Sequence, residues 1–245
     1  MWKIVAASVA GTGHDRAGNQ DAVGFVPDDG VGELVRVAVA DGHGAAMYER
    51  SARGARMAVE AALADPLGSA ADASLQGMMR GALLRWEEAV DADLRANPHE
   101  MERDVYGTTL LVVSADATTV ACAQLGDCQV LTVDGAGKVT SPIPDDPRLT
   151  GNLTTSLTGA YPIGNTRYAR LAADGIRLLL VCTDGYENSF ADQRSFFQAA
   201  SDFADIIDRH GLGVVRKELR GWLVETMSGG SGDDTTVALV IKGHD

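Results

Sequence analysis

The chain has 245 residues, 45% of them hydrophobic, which is enough to bury one substantial core; because no linker or internal repeat divides it, we predict one domain over residues 1–245. Its 34 acidic and 21 basic residues give a net charge of −13, which disfavours binding to nucleic acid or to an anionic membrane surface. The three cysteines lack C-x-x-C spacing, which favours reduced thiols over disulfides or a zinc site. No apolar segment is long enough to span a bilayer. We therefore expect a cytoplasmic protein.

The first part of the chain is predicted to contain three strands followed by two helices. Apolar runs predict the strands, which are 2–10, a second strand that ends at Phe25, and 34–40. Good helix formers with apolar spacing predict a helix over 47–64. Apolar residues that recur every three or four positions from Leu75 predict a longer amphipathic helix that ends near Asn97, with its Met and Trp side chains in the core.

The second part begins with three short strands in close succession, 108–115, 118–125 and 129–133, a spacing typical of an antiparallel meander. Residues 141–168 are rich in Pro, Gly, Asn and Thr, which predicts a surface excursion beside the site that recognises the substrate. The remaining elements are predicted as strands 167–173, 176–183 and 235–241 and helices 195–210 and 212–227. This order fits an α+β fold in which two mainly antiparallel sheets are covered by helices on both outer sides.

Carboxylates stand at the ends of four predicted strands. Asp41 follows a buried run and is itself followed by Gly42, His43 and Gly44; Asp184 repeats the Asp-Gly pattern after another apolar run. Gly-Asp at Asp127 ends a further strand, and Asp233 opens the last one. A single Asp-Gly pair is more often a plain turn, but carboxylates at four strand ends, two of them in Asp-Gly pairs, indicate a reacting centre.

The polar loop between the first two predicted strands contains two further candidates. The guanidinium of Arg16 is suited to clamp an anion, since its fork of donors matches phosphate oxygens. Asp21 is suited to orient water bound to a metal ion. The composition of the loop is equally that of a surface hairpin connection with solvated charges, and both alternatives stay open from composition alone.

Six short motifs occur in the order of one protein family. They are Arg16-Ala-Gly-Asn-Gln-Asp21, Asp41-Gly-His43-Gly, Gly107-Thr-Thr, Gly126-Asp127, Thr183-Asp184-Gly185 and Gly232-Asp233-Asp-Thr-Thr236. With these motifs the chain resembles the metal-dependent protein phosphatases of the 2C type, particularly their compact bacterial branch. The resemblance covers almost the whole chain and implies a four-layer α-β-β-α sandwich with the metals at one edge of its two central sheets.

The resemblance also implies roles for the site residues. Asp41 would bridge two Mn²⁺ or Mg²⁺ ions, the carbonyl of Gly42 would bind one of them, and Asp184 and Asp233 would complete the pair. Asp127 would contribute to a weaker third metal site, for which Asp192 is a further candidate. Asp21 would act through metal-bound water, Arg16 would hold the phosphoryl group, and His43 would be the general acid. Oxygen ligands suit both ions.

The implied activity is hydrolysis of phosphoserine and phosphothreonine in proteins by direct attack of a metal-bridging water. A phosphorylated protein substrate, linked to a Ser/Thr kinase, and a monomeric enzyme are expected. Two alternatives stay open, which are a catalytically silent interaction domain of the same fold and a two-metal phosphodiesterase or nuclease. The complete set of expected ligands disfavours the first alternative, and the acidic charge without a basic stripe disfavours the second. The chain departs from many relatives at Gln20, Cys128 and Asp234, where Glu, Ser and Asn are frequent.

Overall fold

A computed structural model of the chain describes residues 1–12, 18–65, 70, 74–144, 146, 149 and 154–243. The strands are β1 (Trp2–Val9), β2 (Asp21–Val26), β3 (Val31–Gly32), β4 (Val35–Asp41), β5 (Leu110–Ala115), β6 (Thr119–Leu125), β7 (Gln129–Asp134), β8 (Val139–Thr140), β9 (Arg167–Ala172), β10 (Ile176–Cys182) and β11 (Thr235–Lys242). The helices are α1 (Ser51–Leu63), α2 (Leu75–Ala96), α3 (Pro162–Asn165), α4 (Asp184–Glu187), α5 (Gln193–His210) and α6 (Leu212–Gly229), with a 3₁₀-helix over Glu102–Tyr106. None of the helices in these ranges has the length and apolar character needed to cross a membrane.

The strands form two antiparallel sheets. One sheet has the order β3-β1-β11-β10-β7-β8, and the other has the order β2-β4-β5-β6-β9. Asp21 lies opposite Asp41 in the register of β2 and β4, so the first and last residues of these strands meet at one sheet edge. Strand pairing alone therefore places the carboxylates of Asp21 and Asp41 next to each other.

Three apolar layers hold the sheets and helices together. The alanine-rich face of α1 and the apolar face of α2 pack on the second sheet, with the side chains of Met79 and Trp86 buried. Apolar residues of both sheets, among them Trp2 and Val39, fill the space between the sheets. On the other outer face, α5 and α6 cover the first sheet with Phe196 and Leu219. The predicted α+β fold with four α-β-β-α layers is confirmed.

One predicted pairing is wrong. Residues 129–133 were expected to continue the meander after β6, but β7 pairs with β10 and β8 in the first sheet, while β6 pairs with β5 and β9 in the second. Gly126 has a φ of +97°, a conformation that glycine adopts without strain, and the chain turns there from one sheet to the other. The turn leaves Asp127 at the junction of the sheets.

The first helix also begins later than its apolar spacing predicts. The sequence predicts a helix over residues 47–64, but α1 starts at Ser51, and residues 43–50 form turns and irregular backbone instead. The N–H of Arg50 donates to the carbonyl of Val105 at 2.9 Å, a contact with a distant segment that no local pattern contains. Met47 is 45% exposed, and with Tyr48 it lies in the turn beside the carboxylates rather than on the helix.

Candidate metal centre

Three of the predicted carboxylates converge in space. Asp41, Asp127 and Asp184 each offer an oxygen atom, and these atoms all lie within 4.8 Å of one another. Asp41 ends β4 and Asp127 follows β6 in the second sheet, whereas Asp184 follows β10 in the first sheet. The cluster therefore sits at the edge where the two sheets meet.

Asp21 joins the two sheets at this edge. One of its oxygens, Oδ2, accepts hydrogen bonds from the hydroxyls of Thr183 and Thr236, both at 2.7 Å. The other oxygen, Oδ1, is buried and has no hydrogen-bond partner among the described residues. A buried acceptor without a donor is rare and costly, so this oxygen points to a donor or cation that the chain itself does not provide.

The electrostatics of the cluster indicate that it needs a cation. Burial, followed by the charges of Asp21 and Asp184, raises the pKa of Asp41 well above its ordinary value. Burial and the charge of Asp184 raise the pKa of Asp127 to about 6, and burial also raises the pKa of Asp184 and of Asp21. Close carboxylates in a low-dielectric site repel each other unless a positive charge neutralises them. An all-oxygen donor set with one orphaned oxygen fits Mn²⁺ or Mg²⁺.

Gly42 and Asp233 lie at the same cavity as this cluster. The cavity has a volume of about 560 Å³, and its lining includes Asp41, Gly42, His43, Asp127, Asp184 and Asp233. A Cβ atom on Gly42 would stand 2.8 Å from the carbonyl oxygen of Gln20, so this position has no room for a side chain. Asp233 is half-buried, and its Oδ1 accepts the N–H of Asp234 at 2.7 Å.

His43 is held at the rim of the cavity by Gly107 and Tyr48. Its backbone N–H donates to the carbonyl of Gly107 at 3.1 Å, and its ring packs edge-on against Tyr48 with the ring centroids 4.8 Å apart. Burial lowers the pKa of His43 to about 4. The imidazole is therefore neutral at pH 7, and donation of a proton as a general acid requires a nearby anion that raises this pKa.

Two residues that fix the cluster have no role assigned to them in the sequence analysis. The hydroxyl of Thr109 accepts the N–H of Asp41 at 2.9 Å, and the N–H of Thr109 donates to the carbonyl of Asp41 at 2.9 Å. Asn188 donates to Oδ2 of Asp184 at 3.0 Å. The Gly107-Thr-Thr motif marked the threonine, but no local pattern indicates the role of Asn188.

Two other candidates are not brought into the cluster by the described structure. Arg16 lies outside the described residues. Asp192, considered for a third metal, is the N-cap of α5 and accepts the N–H and the hydroxyl of Ser195 at 2.7 and 2.6 Å. Its carboxylate caps the start of α5, and Asp192 is not in the described lining of the cavity.

A profile of the protein phosphatase 2C family matches residues 10–224, a range that holds nearly all of this site. The chain belongs to the protein phosphatase 2C family. Asp41, Asp127 and Asp184 fall within the matched range, and Asp233 follows it. The family resemblance predicted from the six motifs is therefore confirmed. A search of curated proteins finds no significant match to the sequence.

Solved bacterial phosphatase structures share the fold. PppA, described as a key regulatory component of T6SS in Pseudomonas aeruginosa, matches with 20% identity and a TM-score of 0.68 over 98% of this chain and 97% of that chain. The serine/threonine phosphatase PstP of Mycobacterium tuberculosis matches with 20% identity and a TM-score of 0.65 over 99% of each chain. The PstP catalytic domain in complex with two manganese ions matches with 20% identity and a TM-score of 0.64 over 98% of this chain and 97% of that chain.

Proposed function

We propose that this protein is a metal-dependent serine/threonine protein phosphatase that hydrolyses phosphoserine and phosphothreonine with the help of two Mn²⁺ or Mg²⁺ ions. The observation that carries the proposal is the meeting of Asp41, Asp127 and Asp184 within 4.8 Å at the edge of a protein phosphatase 2C fold. The manganese ions of the PstP complex support the choice of metal. The catalytically silent alternative is not favoured, because the described part of the chain retains every metal-binding carboxylate that the family resemblance implies.

We assign the metal ligands as the resemblance implies them. Asp41 would bridge the two ions, the carbonyl of Gly42 would bind one, and Asp184 and Asp233 would complete the core pair, with Asp127 at a weaker third site. The shared cavity and the raised pKa values of Asp41 and Asp184 support this assignment. When bound, the ions would supply a water of lowered pKa and neutralise the phosphoryl charge.

The chain's own residues would position the reactants and move protons. The free Oδ1 of Asp21 is a buried acceptor that would hold a proton of the attacking water in place. His43 would donate its proton to the departing serine or threonine oxygen, once the bound phosphate dianion has raised the pKa of the imidazole from about 4. Arg16 would hold the phosphoryl oxygens, which remains a proposal from sequence.

We further propose that the whole chain acts as one catalytic unit, because the candidate ligands come from strands of both sheets. We propose that the protein is a monomeric cytoplasmic enzyme that opposes a bacterial Ser/Thr kinase. The solved bacterial structures of similar fold are serine/threonine phosphatases, which supports this proposal.

The test compares three substrates with and without Mn²⁺. Phosphate release would be measured from a phosphothreonine peptide, and nitrophenol release from nitrophenyl phosphate and from the diester bis(nitrophenyl) phosphate, with EDTA as the metal-free control. We expect Mn²⁺-dependent hydrolysis of both monoesters, little hydrolysis of the diester, and loss of activity in Asp41→Asn and Asp184→Asn. A preference for the diester would identify a phosphodiesterase, and binding of the phosphopeptide without turnover would identify a silent interaction domain.

A further inference from the structure

A second cavity opens beside the metal centre. It has a volume of about 370 Å³ and shares His43, Tyr48 and Thr154 with the cavity that holds the carboxylates. From these shared residues it extends toward Met47, Asp104 and Ser156. A peptide whose phosphorylated residue enters the metal centre would therefore place a flanking side chain in this second cavity.

One wall of the second cavity is joined to the metal centre by a chain of hydrogen bonds. The hydroxyl of Ser156 and the N–H of Leu157 bond to the backbone of Thr108, at 3.2 and 2.9 Å. The hydroxyl of Thr108 donates to the carbonyl of Asp41 at 2.9 Å. These hydrogen bonds hold Ser156 and Leu157 at a fixed position relative to Asp41.

The opposite wall of the second cavity, which includes Asp104, is also held by hydrogen bonds. The N–H of Gly107 donates to the carbonyl of Asp104 at 3.1 Å, and the carbonyl of Gly107 accepts the N–H of His43. A Cβ atom on Gly107 would stand 2.6 Å from the His43 ring and 2.7 Å from the Tyr48 ring, so these groups pack directly on the backbone. Asp104 therefore has a defined position relative to the candidate general acid.

The chemistry of the second cavity favours a positive side chain with a long apolar stem. Asp104 is the one acidic residue in its described lining, which includes no lysine or arginine. The carboxylate of Asp104 is exposed and makes no hydrogen bond or ion pair within the described ranges. Met47 adds exposed apolar surface, and the rest of the lining is mainly hydroxyls. A lysine or arginine buries its methylene stem on such a surface while its charge stays near a carboxylate.

We propose that this second cavity receives a lysine or arginine that flanks the phosphorylated residue of the substrate. Met47 packs against the methylene stem, and Asp104 pairs with the charge. The proposal rests on the proposed phosphatase function and names the substrate class that the site selects. The net charge of −13 acts in the same direction, because it repels acidic peptides.

The test uses phosphothreonine peptides that differ only in the flanking residues. Lys, Ala or Glu is placed directly before or directly after the phosphothreonine, and kcat/KM is measured with Mn²⁺. We expect kcat/KM for the Lys peptide to exceed that for the Ala peptide by about 2- to 5-fold on at least one side, the scale of an exposed ion pair. Asp104→Asn should bring this ratio near one, and Asp104→Lys should favour the Glu peptide. Glu102→Gln, which removes a neighbouring carboxylate outside the cavity, should keep the wild-type ratio.

The ratio between peptides separates recognition from a general loss of structure, because poor folding lowers the rate on every peptide alike. A wild-type ratio near one on both sides, or a ratio that Asp104→Asn and Asp104→Lys leave unchanged, would overturn the proposal while leaving the phosphatase function intact. Absence of Mn²⁺-dependent hydrolysis would instead contradict the proposed function. In that case fluorescence anisotropy of the same peptides still decides whether Asp104 favours the Lys peptide.

Discussion

The carboxylate of Asp234 accepts the backbone N–H of Gln20 through Oδ2 at 2.6 Å. Its other oxygen, Oδ1, accepts the N–H of Gly11 at 2.7 Å. One buried side chain thus binds the backbone on both sides of the loop between β1 and β2. Asparagine has one acceptor oxygen and an NH₂ group, so it cannot accept both bonds.

Asp234→Asn should therefore destabilise this protein. The substitution leaves one backbone N–H facing an NH₂ group, and an unsatisfied buried donor costs about 1–3 kcal/mol. Chemical denaturation in EDTA measures the loss without interference from metal binding. Asp29→Asn is the matched control, because exposed Asp29 accepts a single N–H, from Val31 at 3.0 Å. An equal change in both variants would show that the two bonds to Asp234 have no special weight.

The metal-free protein should lose stability as the pH rises from about 4 to 6. The pKa of Asp127 is about 6 in the folded chain, against an ordinary value of 3.8. The folded state therefore holds this proton more tightly than the unfolded state, and the contribution of the neutral group is complete below pH 4 and lost above pH 6. A difference of about 2 units corresponds to about 3 kcal/mol. Denaturation in EDTA at a series of pH values measures this loss.

Asp127→Asn is the variant that isolates this effect, since an amide does not ionise. Its metal-free form should be less sensitive to pH between 4 and 6 and more stable than the wild type at pH 7. Added Mn²⁺ should restore the stability of the wild type at pH 7, because the cation replaces the lost proton. A pH dependence that is identical in wild type and variant would show that other groups dominate.

Gly107→Ala should separate the position of His43 from metal binding. The new Cβ atom would stand 2.6 Å from the His43 ring and 2.7 Å from the Tyr48 ring, so both rings must move. A displacement of about 1 Å at a reacting group can lower a rate about 100-fold. Hydrolysis of phosphopeptides should fall on this scale, while calorimetry should show an unchanged affinity for Mn²⁺. A parallel loss of Mn²⁺ affinity would mean that Gly107 supports the carboxylates themselves.

The loss of rate in His43→Ala should depend on the leaving group of the substrate. A serine alkoxide needs a proton to depart, whereas nitrophenolate does not, and loss of a general acid costs about 10²- to 10⁴-fold where the proton is needed. Phosphopeptide hydrolysis should therefore slow far more than nitrophenyl phosphate hydrolysis. The affinity for Mn²⁺ is the control and should barely change. Equal slowing of both substrates would make His43 a positioning residue and would place the acid elsewhere.

Much of this architecture could be predicted from the sequence, because it depends on local patterns. The positions of α2 and α5 could be predicted to within a few residues from their apolar spacing. The end of α5 was also marked by Gly211, which has a φ of +78°. The start of α1 and the sheet of β7 could not be predicted, since they depend on contacts with distant segments such as Val105 and β10. In the same way, Asp41 and Asp184 were marked by strand ends, whereas the contact of Asn188 exists only in the folded chain.

The hydroxyl donors of Asp21 have a consequence for the dynamics of the whole sandwich. Asp21 is the first residue of β2 in one sheet. Its donors belong to the other sheet, where Thr183 directly follows β10 and Thr236 lies in β11. The candidate metal ligands also come from both sheets. Local opening of either sheet therefore takes ligands away from the metal centre. Bound Mn²⁺ should therefore slow amide hydrogen exchange in β10 and β11 as well as in β2 and β4, so that the two layers open as a single cooperative unit.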